Sequence, residues 1–222
     1  MKLLFKKAIW PIVAIPPIYL AATWNRLPEK IGMKYDLEGT PIRYGSKAEM
    51  LGLMIVLSMV TLLTWLLLTN MHRWDPKRHA VENKDRLLRI AFAVVIFIAA
   101  VQCLLIYSAA AGSFKLSMGL ILSGVGLLFA IIGNYMPNLK PNYFAGLRLP
   151  WTLENEENWR QTHHMAGKLW FAGGLVLAVV CLFTPPIISI IVFFTIITIM
   201  VIVPTVFSYR LYKKQKLRAD KR

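Results

Sequence analysis

Apolar and polar positions along this chain come in blocks rather than at a helical or strand period. Charge-free stretches run over Ala8–Trp24, Leu51–Met71, Ile90–Phe114, Leu116–Leu139 and Leu169–Tyr209, and Pro185-Pro186 splits the last in two. A helix that crosses a bilayer needs ~20 apolar residues. Ala8–Trp24 and Leu169–Thr184 sit at the short end of that range and the others fill it. A buried helix of a soluble bundle would keep a polar stripe on one face, and Ile187–Val203 has none. The pattern therefore predicts an all-α integral membrane protein with six transmembrane helices.

Lysine and arginine decide which way such a bundle faces. With the N-terminus inside, twenty of the 26 basic residues fall on the inner side and six on the outer. Six spans return the C-terminus to the same side, so both termini are expected in the cytoplasm. The net charge of +15 then reads as positive-inside bias, and direct nucleic-acid binding is not expected. The tail Lys213-Lys214-Gln215-Lys216 reads as an anchor on membrane lipids. The N-terminal segment resembles a signal peptide in its Lys2, Lys6 and Lys7, but Pro11, Pro16 and Pro17 interrupt its apolar part. A retained, kinked first helix is the expectation. Cys103 and Cys181 fall inside spans, where thiols pack as small apolar groups, so neither a disulfide nor a metal is expected there.

The expected spans are Ala8–Trp24, Met50–Thr69, Leu87–Ala111, Leu116–Asn134, Leu169–Phe183 and Ile187–Tyr209. Asn25–Glu49 is an outer loop punctuated by Gly and Pro, with a short strand at most. The inner loop His72–Arg86 holds the turn Trp74-Asp75-Pro76, and Gly112–Lys115 is a tight outer turn. Gly119, Ser123, Gly124, Gly126 and Gly133 in the fourth span are small enough to let helices approach closely. Two regions follow: residues 1–86, the first two spans with the extracytoplasmic loop 25–49, and residues 87–222, four spans with a cytoplasmic loop at 133–168.

That loop, Gly133–Lys168, is the one long polar island between apolar segments. Its first half is broken by Pro and Gly. Thr152 reads as the N-cap of a helix over Leu153–Ala166, with Glu154, Glu156 and Glu157 in its first turn. Trp159, His163, Ala166 and Trp170 share one face of this interfacial helix before the fifth span. Arg148 and Lys168 are candidates to pair with the acids of the Glu154–Glu157 turn, an inner-face anionic partner or lipid phosphate being the other candidate, and Lys168 should sit at the mouth of the fifth span.

Catalytic and metal chemistry find little footing. No charged residue lies within five of the spans, which argues against an ion pump; Gln102 and Asn134 are the notable polar side chains. His163-His164, with Glu157 nearby and His72 and His79 elsewhere, invites a metal. Adjacent histidines on a helix point ~100° apart, so they cannot share an ion from one helix. Interfacial, solvated histidines are the expectation, with no cofactor. No nucleophile motif or phosphate loop occurs, so the chain is not read as an enzyme. The candidates for one would be Glu157, His163 and His164.

Gly133-Asn134-Tyr135-Met136-Pro137, Lys140-Pro141-Asn142-Tyr143-Phe144, Gly146-Leu147-Arg148, Pro150-Trp151-Thr152-Leu153, Glu157, Trp159, Thr162-His163 and Gly167-Lys168 stand in an order and spacing that resembles the SdpI family of bacterial membrane immunity proteins. Leu149 departs from the pattern, where threonine is expected. Leu27-Pro28, Gly39 and Gly45-Ser46-Lys47 look like the small domain of unknown function that often precedes this signature. The resemblance covers nearly the whole chain. It implies a multi-pass protein of the bacterial cell membrane that protects against a secreted toxin peptide arriving from outside. It also implies a signalling role in which a cytoplasmic repressor is held at the membrane. Asn134, Pro141, Asn142, Gly146, Arg148, Pro150, Trp151, Thr152, Glu157, Trp159, His163, Gly167 and Lys168 are then partner-binding candidates. Leu27, Pro28, Gly39, Gly45, Ser46 and Lys47 are the outer-loop candidates. For Arg148, Trp151 and Trp159, anchoring of an interfacial segment weighs equally with partner contact. The alternative function is a small-molecule or lipid-handling membrane protein or transporter.

Overall fold

The computed structural model describes residues 2–36, 39–74, 82–112 and 117–219. Seven helices and one hairpin follow the chain: α1 (Lys2–Thr23), β1 (Ile31–Tyr35), β2 (Pro41–Gly45), α2 (Lys47–Trp74), α3 (Lys84–Ala111), α4 (Ser117–Tyr135), α5 (Pro150–Glu154), α6 (Glu156–Phe183) and α7 (Pro186–Ala219). Among the described residues, α2, α3, α4, α6 and α7 are long and apolar enough to cross a membrane. The expected first span coincides with α1, which runs unbroken through Pro11, Pro16 and Pro17. The turn expected at Trp74-Asp75-Pro76, His79, and Lys115 of the tight outer turn lie outside the described residues. Gly112, the left-handed C-cap of α3 with φ 68°, is described.

The outer loop, expected to hold a short strand at most, folds as an antiparallel hairpin. Ile31 pairs with Gly45, Gly32 with Tyr44, Lys34 with Arg43 and Tyr35 with Pro41, with irregular register between. Asp36 closes the turn: its carboxylate accepts from Thr40 N–H at 2.8 Å, and Gly39 takes φ 81°. The hairpin docks through Ile31, which is buried with Leu20, Leu27, Met50, Met54 and Ile106 where α1, α2 and α3 meet. Local alternation of buried and exposed positions is weak in β1 and β2, so the sequence pattern could not announce them. Ser46 and Glu49 then form a capping box at the start of α2: Glu49 N–H donates to Ser46 Oγ at 3.2 Å, and Ser46 N–H to Glu49 Oε1 at 3.4 Å.

Helix α3 packs against α1 and α2, and α4, α6 and α7 pack together, with α4 also touching α3. Within the first group, Gln102 of α3 is buried and satisfied across the interface. Its amide accepts from Ser58 Oγ (3.2 Å) and donates to Thr61 Oγ1 (3.1 Å), both on α2. A polar group in hydrocarbon must find such partners, so this residue reads as helix adhesive.

The α4–α6 contact is a seam of backbone against backbone. Gly119, Gly126 and Gly133 recur every seven residues on α4 and face Cys181, Gly174 and Gly167 on an antiparallel α6. A Cβ on Gly126 would come 2.6 Å from Ala178 N and 2.7 Å from Gly174 O. One on Gly133 would come 2.5 Å from Phe171 N, and one on Gly119 2.6 Å from Cys181 O. Ser123, in the same seam, donates to Ala178 O at 2.6 Å. The small residues of the fourth span serve close approach, as read from the sequence.

Candidate functional site

The polar island forms one hydrogen-bonded knot over the ends of α3, α4, α6 and α7. It begins where α4 tightens into a 3-10 turn at Met136–Asn138. There the chain is caught from two sides. Trp159 Nε1 donates to Leu139 O at 2.7 Å. The fully buried Asn83, just before α3, uses both ends of its amide on Lys140: Nδ2 donates to the carbonyl (3.0 Å) and Oδ1 accepts from the N–H (2.9 Å). Asn142 then turns the chain, its Oδ1 accepting from Phe144 N–H (2.9 Å) and Ala145 N–H (2.7 Å) while Nδ2 donates to Lys140 O (2.9 Å). Proline at 141 leaves no N–H to satisfy at this buried bend.

Gly146 follows with φ 103°, a conformation that a side chain disfavours. The space where its Cβ would lie is filled by the His163 ring. His163 is fully buried. Its Nε2 accepts from Leu147 N–H at 3.0 Å, and Nδ1 lies 2.9 Å from Trp159 O. A donor N–H facing Nε2 and a carbonyl facing Nδ1 define the neutral tautomer with its proton on Nδ1. The ring also stacks on Trp159, with centroids 3.9 Å apart and planes 17° apart. This corrects the expectation of an interfacial, solvated histidine. His163 is an internal clamp between helix and loop, while the adjacent His164 is exposed.

Thr152 is not an N-cap. It is the third residue of the short helix α5, which begins at Pro150, where proline costs no hydrogen bond. Its hydroxyl accepts from Leu149 N–H (3.0 Å) and faces the carbonyls of Leu147 (2.9 Å) and Leu149 (2.8 Å). The N-cap of the long helix is Asn155, whose Oδ1 accepts from Asn158 N–H at 2.9 Å. From there α6 continues to Phe183. The helix expected to end near Ala166 is therefore continuous with the expected fifth span in α6, and Gly167 does not break it because Gly167 serves the α4 seam. Lys168 lies exposed on this helix.

A second strand of the knot ties in α7. Trp151 Nε1 donates to Ser208 Oγ at 2.8 Å, and Ser208 Oγ donates to Asn158 Oδ1 at 3.0 Å. Asn158 Nδ2 returns a bond to Ser208 O at 3.1 Å, and Thr162 Oγ1 adds one to Asn158 Oδ1 at 3.1 Å. The Trp151 ring packs on Tyr209 and Tyr212. Asn158 and Ser208 are buried, so every member of this network depends on its neighbours.

The expected ion pairs differ. Arg148 Nη1 donates to Tyr143 O at 2.6 Å, bracing the loop from outside. Glu157 instead takes both Arg160 (Nε 2.9 Å, Nη2 2.7 Å) and Gln161, one turn along the same helix. Helical spacing favours these neighbours over a loop residue. Of the predicted site residues, the structure draws Pro141, Asn142, Gly146, Trp151, Thr152, Trp159, His163 and Gly167 into the knot and the seam. Asn134, Glu157 and Lys168 are left on exposed surfaces. In and around the hairpin, Leu27 is core, Gly39 serves the turn, Gly45 ends β2 opposite Ile31, Ser46 caps α2, and Lys47 Nζ lies 3.2 Å from Glu29, while Pro28 is exposed. Sequence reasoning missed Asn83, Asn155, Asn158 and Ser208. Asn83 could have been suspected as an amide placed a turn ahead of an apolar run, where helix-start residues stand. Among the described residues no three His, Cys, Asp or Glu side chains gather as metal ligands.

Asn83→Leu should orphan the Lys140 N–H, since Asn142 still serves the carbonyl. The expected loss is ~1–3 kcal/mol, read as a lower thermal midpoint in detergent; an unchanged midpoint would show that the tether carries no weight.

Comparison with known proteins matches this architecture in two places. Residues 138–208, which hold most of the knot, match the SdpI/YfhL protein family, and residues 12–59, which hold the hairpin, match a domain of unknown function, DUF1648. The chain is 28% identical over 211 residues to "Immunity protein SdpI" of Bacillus subtilis (strain 168), covering 94% of this chain and 97% of that protein. No solved structure matches the chain. Residues 138–208 thus carry an SdpI/YfhL family region, and with the long apolar helices and the end-to-end similarity this is a multi-pass bacterial membrane protein.

Proposed function

We propose that the protein is a membrane immunity protein that protects its host against a secreted, membrane-active toxin peptide. The observation that carries this reading is the end-to-end similarity to an immunity protein. In this reading α1 is the first of six spans and both termini are cytoplasmic. The hairpin then faces the arriving toxin and the knot faces the cytoplasm, where a repressor would be held. Residues 1–86 form the toxin-facing unit and residues 87–222 the signature unit, with α3 packed between them. Asn134, Arg148, Glu157 and Lys168 are the signature residues whose exposure suits partner contact. The buried ones support them as scaffold. The chain is not proposed to be an enzyme.

Expression in a toxin-sensitive bacterium, challenged with a panel of membrane-active peptides, should restore growth against at least one. Failure across the panel, with membrane expression confirmed, would remove the immunity reading. The topology has its own test. A membrane-impermeant thiol reagent added to whole cells should label a single cysteine at Ile42, on the exposed hairpin, and miss one at Tyr143, exposed on the knot. Labelling of Tyr143→Cys from outside would reverse the orientation.

A further inference from the structure

The knot does not close the whole of its end of the bundle. Between it and the starts of α3 and α6 lies a cleft of about 560 Å³, walled by Arg86 of α3, Pro137 to Pro141 of the loop, and Glu156, Glu157 and Arg160 of α6, with Trp159 at its side. Two long helices present their N-terminal ends here, which carry partial positive charge. Three cations line it, from three separate segments. Arg160 is held by Glu157. Arg86 makes one helical contact, Nη1 to Glu82 O at 3.0 Å, and so keeps most of its guanidinium free. The ammonium of Lys140 has no partner among the described residues, although its own backbone is pinned by Asn83 and Asn142. The cation is thus mounted on a rigid base.

We propose that this cleft is a phosphate-binding site, with Lys140 and Arg86 as the ligands. A guanidinium and an ammonium lining one cleft beside helix N-termini suit the charge of a phosphate oxygen set. The Glu157–Arg160 pair forms the opposite wall, where Glu157 is already neutralised. The site stands where the apolar part of α3 begins, directly after Arg86, so a phospholipid headgroup can reach it with its chains against the helices. A soluble phosphate compound offers the same group. The inference rests on charge and shape and is independent of the immunity reading.

The test uses the full chain in detergent micelles, with native mass spectrometry and titration by phosphatidylglycerol, diacylglycerol and inorganic phosphate. The parent should bind phosphatidylglycerol roughly tenfold or more tightly than diacylglycerol. The double variant Arg86→Gln with Lys140→Gln should lose that preference. A control, Lys30→Gln with Lys34→Gln at the exposed hairpin, removes the same charge elsewhere and should keep it. Displacement of the lipid by millimolar inorganic phosphate assigns the site to soluble phosphates; resistance assigns it to the lipid headgroup. Equal losses in the two double variants would reduce the effect to diffuse charge and overturn the proposal. So would binding of an acidic peptide at this cleft with no binding of either phosphate probe. Should the double variant fail to fold, Lys140→Met alone, whose pinned backbone is unchanged, carries the same comparison.

Discussion

Replacing Gly174 with leucine should leave the chain unable to seat α6 against α4. A Cβ at this position would come 2.5 Å from Gly126 O and still closer to Ala130 N, both backbone atoms of a helix that cannot bend aside. A flexible side chain could yield, but main chain within a continuous helix cannot. The cost is expected at ~3 kcal/mol, the upper end for an overpacked interior, and a protein of ordinary marginal stability would lose much of its folded population. Size-exclusion chromatography in detergent should show loss of the monodisperse species, and whole-cell yield should fall. Gly52 is the internal control. It too lies in an apolar helix, yet nothing lies within 4 Å of a Cβ there, so Gly52→Leu should behave as the parent. Equal behaviour of the two variants would mean that the seam does not exist as described.

The second large effect is expected at Gly146→Ala. Two penalties act together there. The backbone sits at φ 103°, where a side chain is strained, and the added methyl would collide with His163 Nε2, the atom that accepts from Leu147 N–H. The loop must therefore leave the clamp or distort it, at a cost of ~2–3 kcal/mol. Because the clamp holds the knot rather than the bundle, the signature should be local. Trp159 reports it: its stack on His163 and its bond to Leu139 should loosen together, and its fluorescence should change while helix content by circular dichroism stays as in the parent. His163→Phe, which keeps an aromatic plane on Trp159 but no ring nitrogen, should give the same local release without the backbone strain and a smaller loss of thermal midpoint. A Gly146→Ala protein with parental fluorescence and midpoint would refute the clamp.

Much of this molecule was legible beforehand because the bilayer imposes one rule on every span. Runs such as Leu51–Met71 and Ile187–Val203 carry no charge and leave no solution but helix in hydrocarbon. The glycines of α4 could be read as packing residues on their spacing alone. The site was legible in a different way. Its residues identified a family, but their roles did not follow from residue type. His163 looked like a surface histidine because its neighbour His164 and the acids before it are polar. Only the return of Leu147 N–H onto its ring buries it. Thr152 looked like a helix start because Thr followed by acids is a capping pattern, yet Asn155 three residues later offers the same chemistry and takes the long helix. Pairing of Arg148 with Glu157 looked natural by charge, but Arg160 is nearer along the helix.

By itself, the sequence determined the class of solvent each segment lives in, the approximate limits of its long helices and the family it resembles. The first two follow from composition and period, which are local properties of the chain, and the resemblance from residues in a set order and spacing. Tertiary structure decided that the outer loop is a hairpin, that α6 begins at Glu156, and that the polar island is a knot braced by Asn83, His163, Asn158 and Ser208. Those outcomes rest on hydrogen bonds between positions distant in sequence, such as Asn83 with Lys140 and Trp151 with Ser208. A buried polar group takes whichever partner the fold brings within reach, and that partner is not encoded in its neighbours along the chain.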